Sequence, residues 1–138
     1  MKVFVDANIP MYVAGRDHEF KEPSTRFMRA VARRHVDAVS DVEVLQEILY
    51  RYRAVRRSAV GFAVFDTFIA TIPRISPVLP ADLRTSRSML AAHPDVEPRD
   101  AIHVAVMRRT GVRAIVSYDE HFDGIPGIDR LTPDAVPA

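Results

Sequence analysis

Short apolar runs alternate with longer helix-period segments along this chain, and few folds accommodate that order. Residues 3–5, 36–39, 75–79 and 114–117 read as short strands, with a weaker one near residues 128–131. Helical spacing appears over residues 24–34 behind Pro23, where Phe27, Met28 and Val31 share a face. Asp41 can cap the next helix, along which Val42, Leu45, Leu49 and Tyr52 recur at three- and four-residue steps. Further helices are expected over residues 58–71, 81–92 and 98–111, the last opened by Pro98 and closed by Gly111 after Arg108 and Arg109. Parallel strands joined by helices cross over with a right hand and are covered on both sides. The expected architecture is therefore an α/β fold, a three-layer α/β/α sandwich around a mainly parallel sheet, with residues 1–138 forming one domain.

Bulk properties narrow the function classes. With 48% hydrophobic and 27% charged residues, the chain has enough apolar material for a packed core. No apolar run reaches the roughly 18 residues that span a bilayer, and no signal-peptide pattern opens the chain, so a soluble cytoplasmic protein is expected. The absence of cysteine excludes disulfides and thiolate metal sites. A formal net charge of +1 does not by itself announce a nucleic-acid partner. Lys2 and Lys21 are the only lysines, and the other seventeen basic residues are arginine. Arg51, Arg53, Arg56 and Arg57 cluster after a helix, and guanidinium forks grip phosphate bidentately; solvated helix surface is the plainer explanation.

Acids recur where α/β proteins build sites, at the carboxyl ends of strands. Asp6 ends the first strand and Asp119 follows the strand at 114–117, with Glu120 and Asp123 nearby. Asp100 stands two residues into a helix, and Glu43 and Glu47 lie four apart on one side of another. Each has an ordinary structural explanation. Asp6 and Asp119 can cap turns, and Asp100 favours the positive end of a helix dipole. Glu43 and Glu47 lie opposite the Val42–Leu45–Leu49 stripe, the side expected to face solvent. Asn8 can cap or position a water, Ser117 can bond a carboxylate or end its strand, and His103 suits packing or support of other groups better than direct ligation.

Together the acids carry more weight. Four converging carboxylates would cost several kcal/mol if all stayed ionised and unpaired. A divalent cation removes that cost, and all-oxygen donors suit Mg²⁺ or Mn²⁺, ions that serve phosphodiester cleavage. Competing acidic α/β sites fit less well. A phosphoaspartate phosphatase wants a second acid two residues after the first, where this chain has Asn8, and both that class and receiver domains use a late lysine. Nucleotide-binding glycine motifs are absent.

The segments V-F-V-D-A-N, S-D-V-E-V-L-Q-E-I-L, R-D-A-I-H-V-A and V-S-Y-D-E-H-F, in that order and spacing, resemble PIN-domain proteins, most closely VapC-type toxins of bacterial toxin–antitoxin pairs. The resemblance runs from about residue 2 to residue 131. It implies that Asp6, Glu47, Asp100 and Asp119 are the metal-site acids, with Glu47 preferred over Glu43 for its place in L-Q-E-I-L, and that Ser117 fills a position commonly Ser or Thr. It implies a Mg²⁺- or Mn²⁺-dependent endoribonuclease acting on RNA, a homodimer, and a VapB-like antitoxin that blocks the site. A catalytically silent PIN-like module that binds RNA or protein, and a PIN nuclease of RNA processing, are the alternatives.

Overall fold

The computed structural model describes residues 1–137. Its centre is a five-stranded sheet of order β3-β2-β1-β4-β5, parallel throughout. The strands are β1 (Lys2–Val5), β2 (Asp37–Asp41), β3 (Arg74–Ser76), β4 (Ala114–Val116) and β5 (Asp129–Leu131). Six α-helices cover it: α1 (Asn8–Ala14), α2 (Lys21–Ala32), α3 (Val42–Ala54), α4 (Ser58–Thr71), α5 (Pro80–Ala92) and α6 (Pro98–Thr110). Helices α1, α2 and α4 touch one another with α3 against α4, while α5 packs on α6. Right-handed crossovers put these two groups on opposite faces of the sheet.

Burial explains the strand sequences. Val3, Phe4 and Val5 of β1 and Ala114, Ile115 and Val116 of β4 are all buried, as parallel strands covered on both faces require. Val3 pairs with Ala38 on one side and Ala114 on the other, so β1 is the sheet's central strand. The chain leaves β1 toward β2 and β3, then returns to β4 on the opposite side. The reversal opens a crevice at the carboxyl ends of β1 and β4, and Asp6 and Asp119 stand on its two lips.

Several boundaries differ from expectation. Helix α1 follows Asp6 almost at once and was not resolved by periodicity, because its seven residues give barely two turns. Helix α2 begins at Lys21, with Pro23 inside its first turn, where a missing N–H removes no helical bond. Strand β3 stops at Ser76, since Pro77 lacks the amide a continued ladder needs. Helix α6 runs as expected and ends on Gly111 at φ +75°, a left-handed cap.

Helix α3 departs most. Val42 and Leu49 of the expected inward stripe are exposed, whereas Val44, Glu47, Ile48 and Tyr52 are buried. The α3–α4 contact sets this rotation: Gly61 of α4 lies so close that a Cβ there would stand 2.6 Å from Tyr52 Cβ. Glu47 is thereby carried inward instead of facing solvent.

Candidate metal centre

Asp6 is held from three directions. The Ala7 amide donates to its Oδ1 at 2.8 Å, the Ser117 hydroxyl donates to Oδ2 at 2.7 Å, and Asn8 Nδ2 donates to Oδ2 at 3.2 Å. Asn8 Nδ2 also reaches Ser117 Oγ at 2.9 Å, and its Oδ1 accepts from the Tyr118 amide at 3.3 Å. The Asp119 amide donates to Ser117 Oγ at 3.0 Å. Asn8 and Ser117 therefore lace the end of β1 to the loop after β4, and this answers what the sequence left open about both.

The expected acids gather in one cleft of about 600 Å³, lined among others by Asp6, Glu47, Asp100 and Asp119. Carboxylate oxygens of Asp6 and Glu47 lie within 4.8 Å of one another and of a ring nitrogen of His103, buried behind them. Asp100, Asp119 and His121 form a second group at the same spacing. Glu43 is not on the cleft wall; it pairs with Arg99 at 3.6 Å. Asp123 points elsewhere, gripped by Arg130 at 2.7 and 3.0 Å. Asp119 also caps the short 3₁₀ turn Glu120–Gly124, accepting from the His121 amide at 2.9 Å, as its sequence position suggested.

Charge is distributed unevenly across the cleft. Burial raises the Glu47 pKa, but the nearby His103, Arg99 and Arg51 outweigh it and leave the group a stronger acid than usual. Arg51 Nε stands 3.2 Å from Glu47 Oε2. Burial raises Asp6 despite the opposing His103 and Ser117. Asp100 is pushed up to about 7 by burial and by the carboxylates of Asp6 and Asp119, with Glu47 adding to them. Among the described residues its carboxylate accepts no hydrogen bond, and no lysine or arginine pairs with it. The unbalanced negative charge thus concentrates where Asp6, Asp100 and Asp119 face one another.

His103 is the residue that sequence reasoning undervalued. It is fully buried, and its Nδ1 lies 2.8 Å from Asp41 Oδ2. Its Nε2 has no hydrogen-bond partner, yet stands 3.9 Å from both Asp6 Oδ1 and Glu47 Oε1. Burial alone would lower its pKa, but Asp41, Glu47 and Asp6 hold it well above 6.5. A buried imidazolium behind two acids partly balances them. The i, i+3 spacing of Asp100 and His103 was a visible signal, whereas the pairing with Asp41 joins segments 62 positions apart. Asp41 also caps α3 as expected, its Oδ1 accepting from the Val44 amide at 3.0 Å.

Oxygen donors with surplus negative charge, beside a cation serving only part of the set, fit a hard divalent ion. A parallel sheet of this order, with acids at the crevice between β1 and β4, agrees with the resemblance to PIN domains. The chain belongs to that family, whose profile matches residues 3–128. Within it the relatives are VapC ribonucleases. The chain is 36% identical to Ribonuclease VapC13 of Mycobacterium tuberculosis over 129 residues, spanning 94% of this chain and 98% of that one. It is 32% identical to Ribonuclease VapC23 of the same species over 117 residues, 85% of this chain and 92% of the relative. Among solved structures, M. tuberculosis VapC20, a sarcin–ricin loop cleaving toxin, superposes with TM-score 0.73 at 17% identity, covering 91% and 98% of the two chains. VapBC2 of Rickettsia felis, bound to a promoter DNA fragment, gives 0.73 at 14% identity, covering 96% and 98%. At such identities these structures speak for the fold alone.

Proposed function

We propose that this protein is a Mg²⁺- or Mn²⁺-dependent endoribonuclease, the cytoplasmic toxin of a VapBC-type pair, with Asp6, Glu47, Asp100 and Asp119 as its metal-site acids. The observation carrying this reading is that Asp6, Glu47, Asp100 and Asp119, from four separate segments, line one cleft, with Asp6, Glu47 and Asp100 buried. A bound divalent ion supplies positive charge for the phosphate and lowers the pKa of water.

The chain's own groups position and handle protons. Ser117, Asn8 and the Ala7 amide fix the Asp6 carboxylate, while His103, itself oriented by Asp41, balances Asp6 and Glu47 from beneath. Arg51 and Arg99 line the cleft and can pair with the RNA backbone; Arg53, an alternative for that role, is not on its wall. Water attacks phosphorus in line and gives its proton to a cleft carboxylate. The bond to the 3′ oxygen breaks, and that oxygen takes a proton from solvent, leaving a 3′-hydroxyl and a 5′-phosphate.

A second surface suits an antitoxin helix. Pro10, Val13, Met28, Ala32, Val64 and Phe68 line a largely apolar groove of about 400 Å³ between α1, α2 and α4. A homodimer is part of the same reading and is supported by exposed Val42, Leu49 and Phe62 on α3 and α4. Incubating total RNA with Mg²⁺ or Mn²⁺ and mapping fragment ends tests the activity. Fragments bearing 5′-phosphates are expected from the wild type and none from Asp6→Asn; a silent binding module would give none from either.

A further inference from the structure

The cleft is lined by more than the acids and their arginines. The end away from Glu47 is walled by Tyr12, Tyr118 and His121. These two tyrosines belong to an aromatic cluster with an uncommon arrangement.

Phe20 lies flat on Tyr118, ring centroids 3.7 Å apart and planes 8° from parallel. Tyr12 stands perpendicular to both, 5.3 Å from Phe20 and 5.5 Å from Tyr118. A ring nearly equidistant from two stacked rings sits beside the stack, not on top of it. His18 contacts Phe20 at 4.9 Å and Tyr12 at 5.0 Å, extending the cluster from the Phe20 side. Phe20 and Tyr118 are the one stacked pair of the cluster, and among the described residues no other aromatic ring stacks on Tyr118. Tyr118 lines the cleft, whereas Phe20, stacked on one face of its ring, does not.

We propose that the cleft-facing ring of Tyr118, with Tyr12 beside it, is a stacking subsite for one unpaired base of the RNA next to the scissile phosphate. The assignment rests on the ribonuclease reading above. An RNA base is the planar, weakly hydrated group that an aromatic face accepts, and single-stranded RNA is commonly read by stacking splayed bases on such rings. Position supports the same occupant: Tyr118 directly precedes Asp119, so a phosphate among the acids brings its adjoining nucleoside to this wall. Arg51 and Arg99 lie toward Glu47, leaving the aromatic wall as the apolar end of a bipolar cleft. Stacking on Tyr118 is indifferent to which base is present, so the subsite selects an unpaired nucleotide over a duplex.

The test uses a short single-stranded RNA built around a cleavage position mapped in total RNA, with 2-aminopurine replacing a base on either side of the cut. Bound to the Asp6→Asn protein, which leaves the RNA whole, 2-aminopurine at one flanking position is expected to lose most of its fluorescence, while a probe three nucleotides away changes little. In the cleaving protein, Tyr118→Leu is expected to raise KM about tenfold, a larger change than in kcat, and Tyr118→Phe to restore it. Quenching at neither flanking position, or equal KM for the leucine and phenylalanine variants, overturns the subsite while leaving the nuclease intact. Absence of cleavage by the wild type removes both readings together.

Discussion

The imidazole of His103 and the carboxylate of Asp41 meet at 2.8 Å with neither side chain exposed to solvent. Asp41 closes β2 and His103 lies on α6, so one contact ties the sheet to the helix that carries Asp100. The other nitrogen of the same ring, Nε2, stands 3.9 Å from both Asp6 and Glu47. A buried pair thus supports the acids without opening onto the cleft itself.

Removing one partner of a buried ion pair strands the other. Asp41→Ala is expected to destabilise the fold by about 3–5 kcal/mol, since it abandons His103 and deletes the α3 cap as well. Because the folded pKa of His103 is raised, its contribution is fully present below pH 6.5 and is lost as pH rises through the higher folded value. Urea unfolding at pH 7 measures the loss, and a midpoint equal to wild type would refute the supporting role.

Asp100 should show the opposite behaviour. Its folded pKa of about 7 exceeds the ordinary 3.8, so the ion-free protein binds an extra proton between those values. Stability from this group is therefore full at low pH and declines as pH rises from about 4 to 7. Asp100→Asn, which forfeits no hydrogen bond among the described residues, should raise the ion-free melting temperature at pH 8 by roughly 3–6 °C and abolish RNA cleavage. Calorimetry on both proteins at pH 5 and pH 8 checks the sign.

Divalent ions should reverse that cost. Saturation with Mn²⁺ to about a hundred times its Kd adds roughly 2.7 kcal/mol to an ion-binding fold. The wild-type melting temperature is expected to climb accordingly at pH 8 and less at pH 5.5, where protons compete for Asp100. Chelator should return it to baseline, and Asp100→Asn should respond weakly. An identical Mn²⁺ response in both proteins would remove Asp100 from the metal site.

The two glutamates of α3 can be separated directly. Glu47→Gln is expected to lower the cleavage rate at least a hundredfold, because its carboxylate faces Asp6 across the cleft. Glu43→Gln, which loses only a partly exposed contact with Arg99, should stay within about threefold. Single-turnover cleavage of one RNA by both variants decides it, and equal defects would show that α3 contributes no specific acid.

Close packing of α3 on α4 gives a stability prediction away from the site. Gly61→Ala gains helix propensity of up to about 1 kcal/mol, but its Cβ would press on Tyr52 Cβ at 2.6 Å. The net change is expected to be a loss of about 1–2 kcal/mol, read as a lower urea midpoint.

Local chemistry made much of this protein legible from its residues. Apolar runs, Pro98, Gly111 and the Asp41 cap act within a few positions, so the strands, most helices and the parallel sheet follow from short-range patterns. The order of the acid-bearing segments carried the family. Tertiary packing alone decided the rest. Along α3 two apolar stripes compete at helical spacing, Val42–Leu45–Leu49 and Val44–Ile48–Tyr52, and propensity treats them alike. Contact with Gly61 of α4 chose the second and brought Glu47 inward. Likewise nothing within reach of His103 along the chain announces Asp41, because a hydrogen bond across 62 positions exists only once sheet and helix have closed on each other.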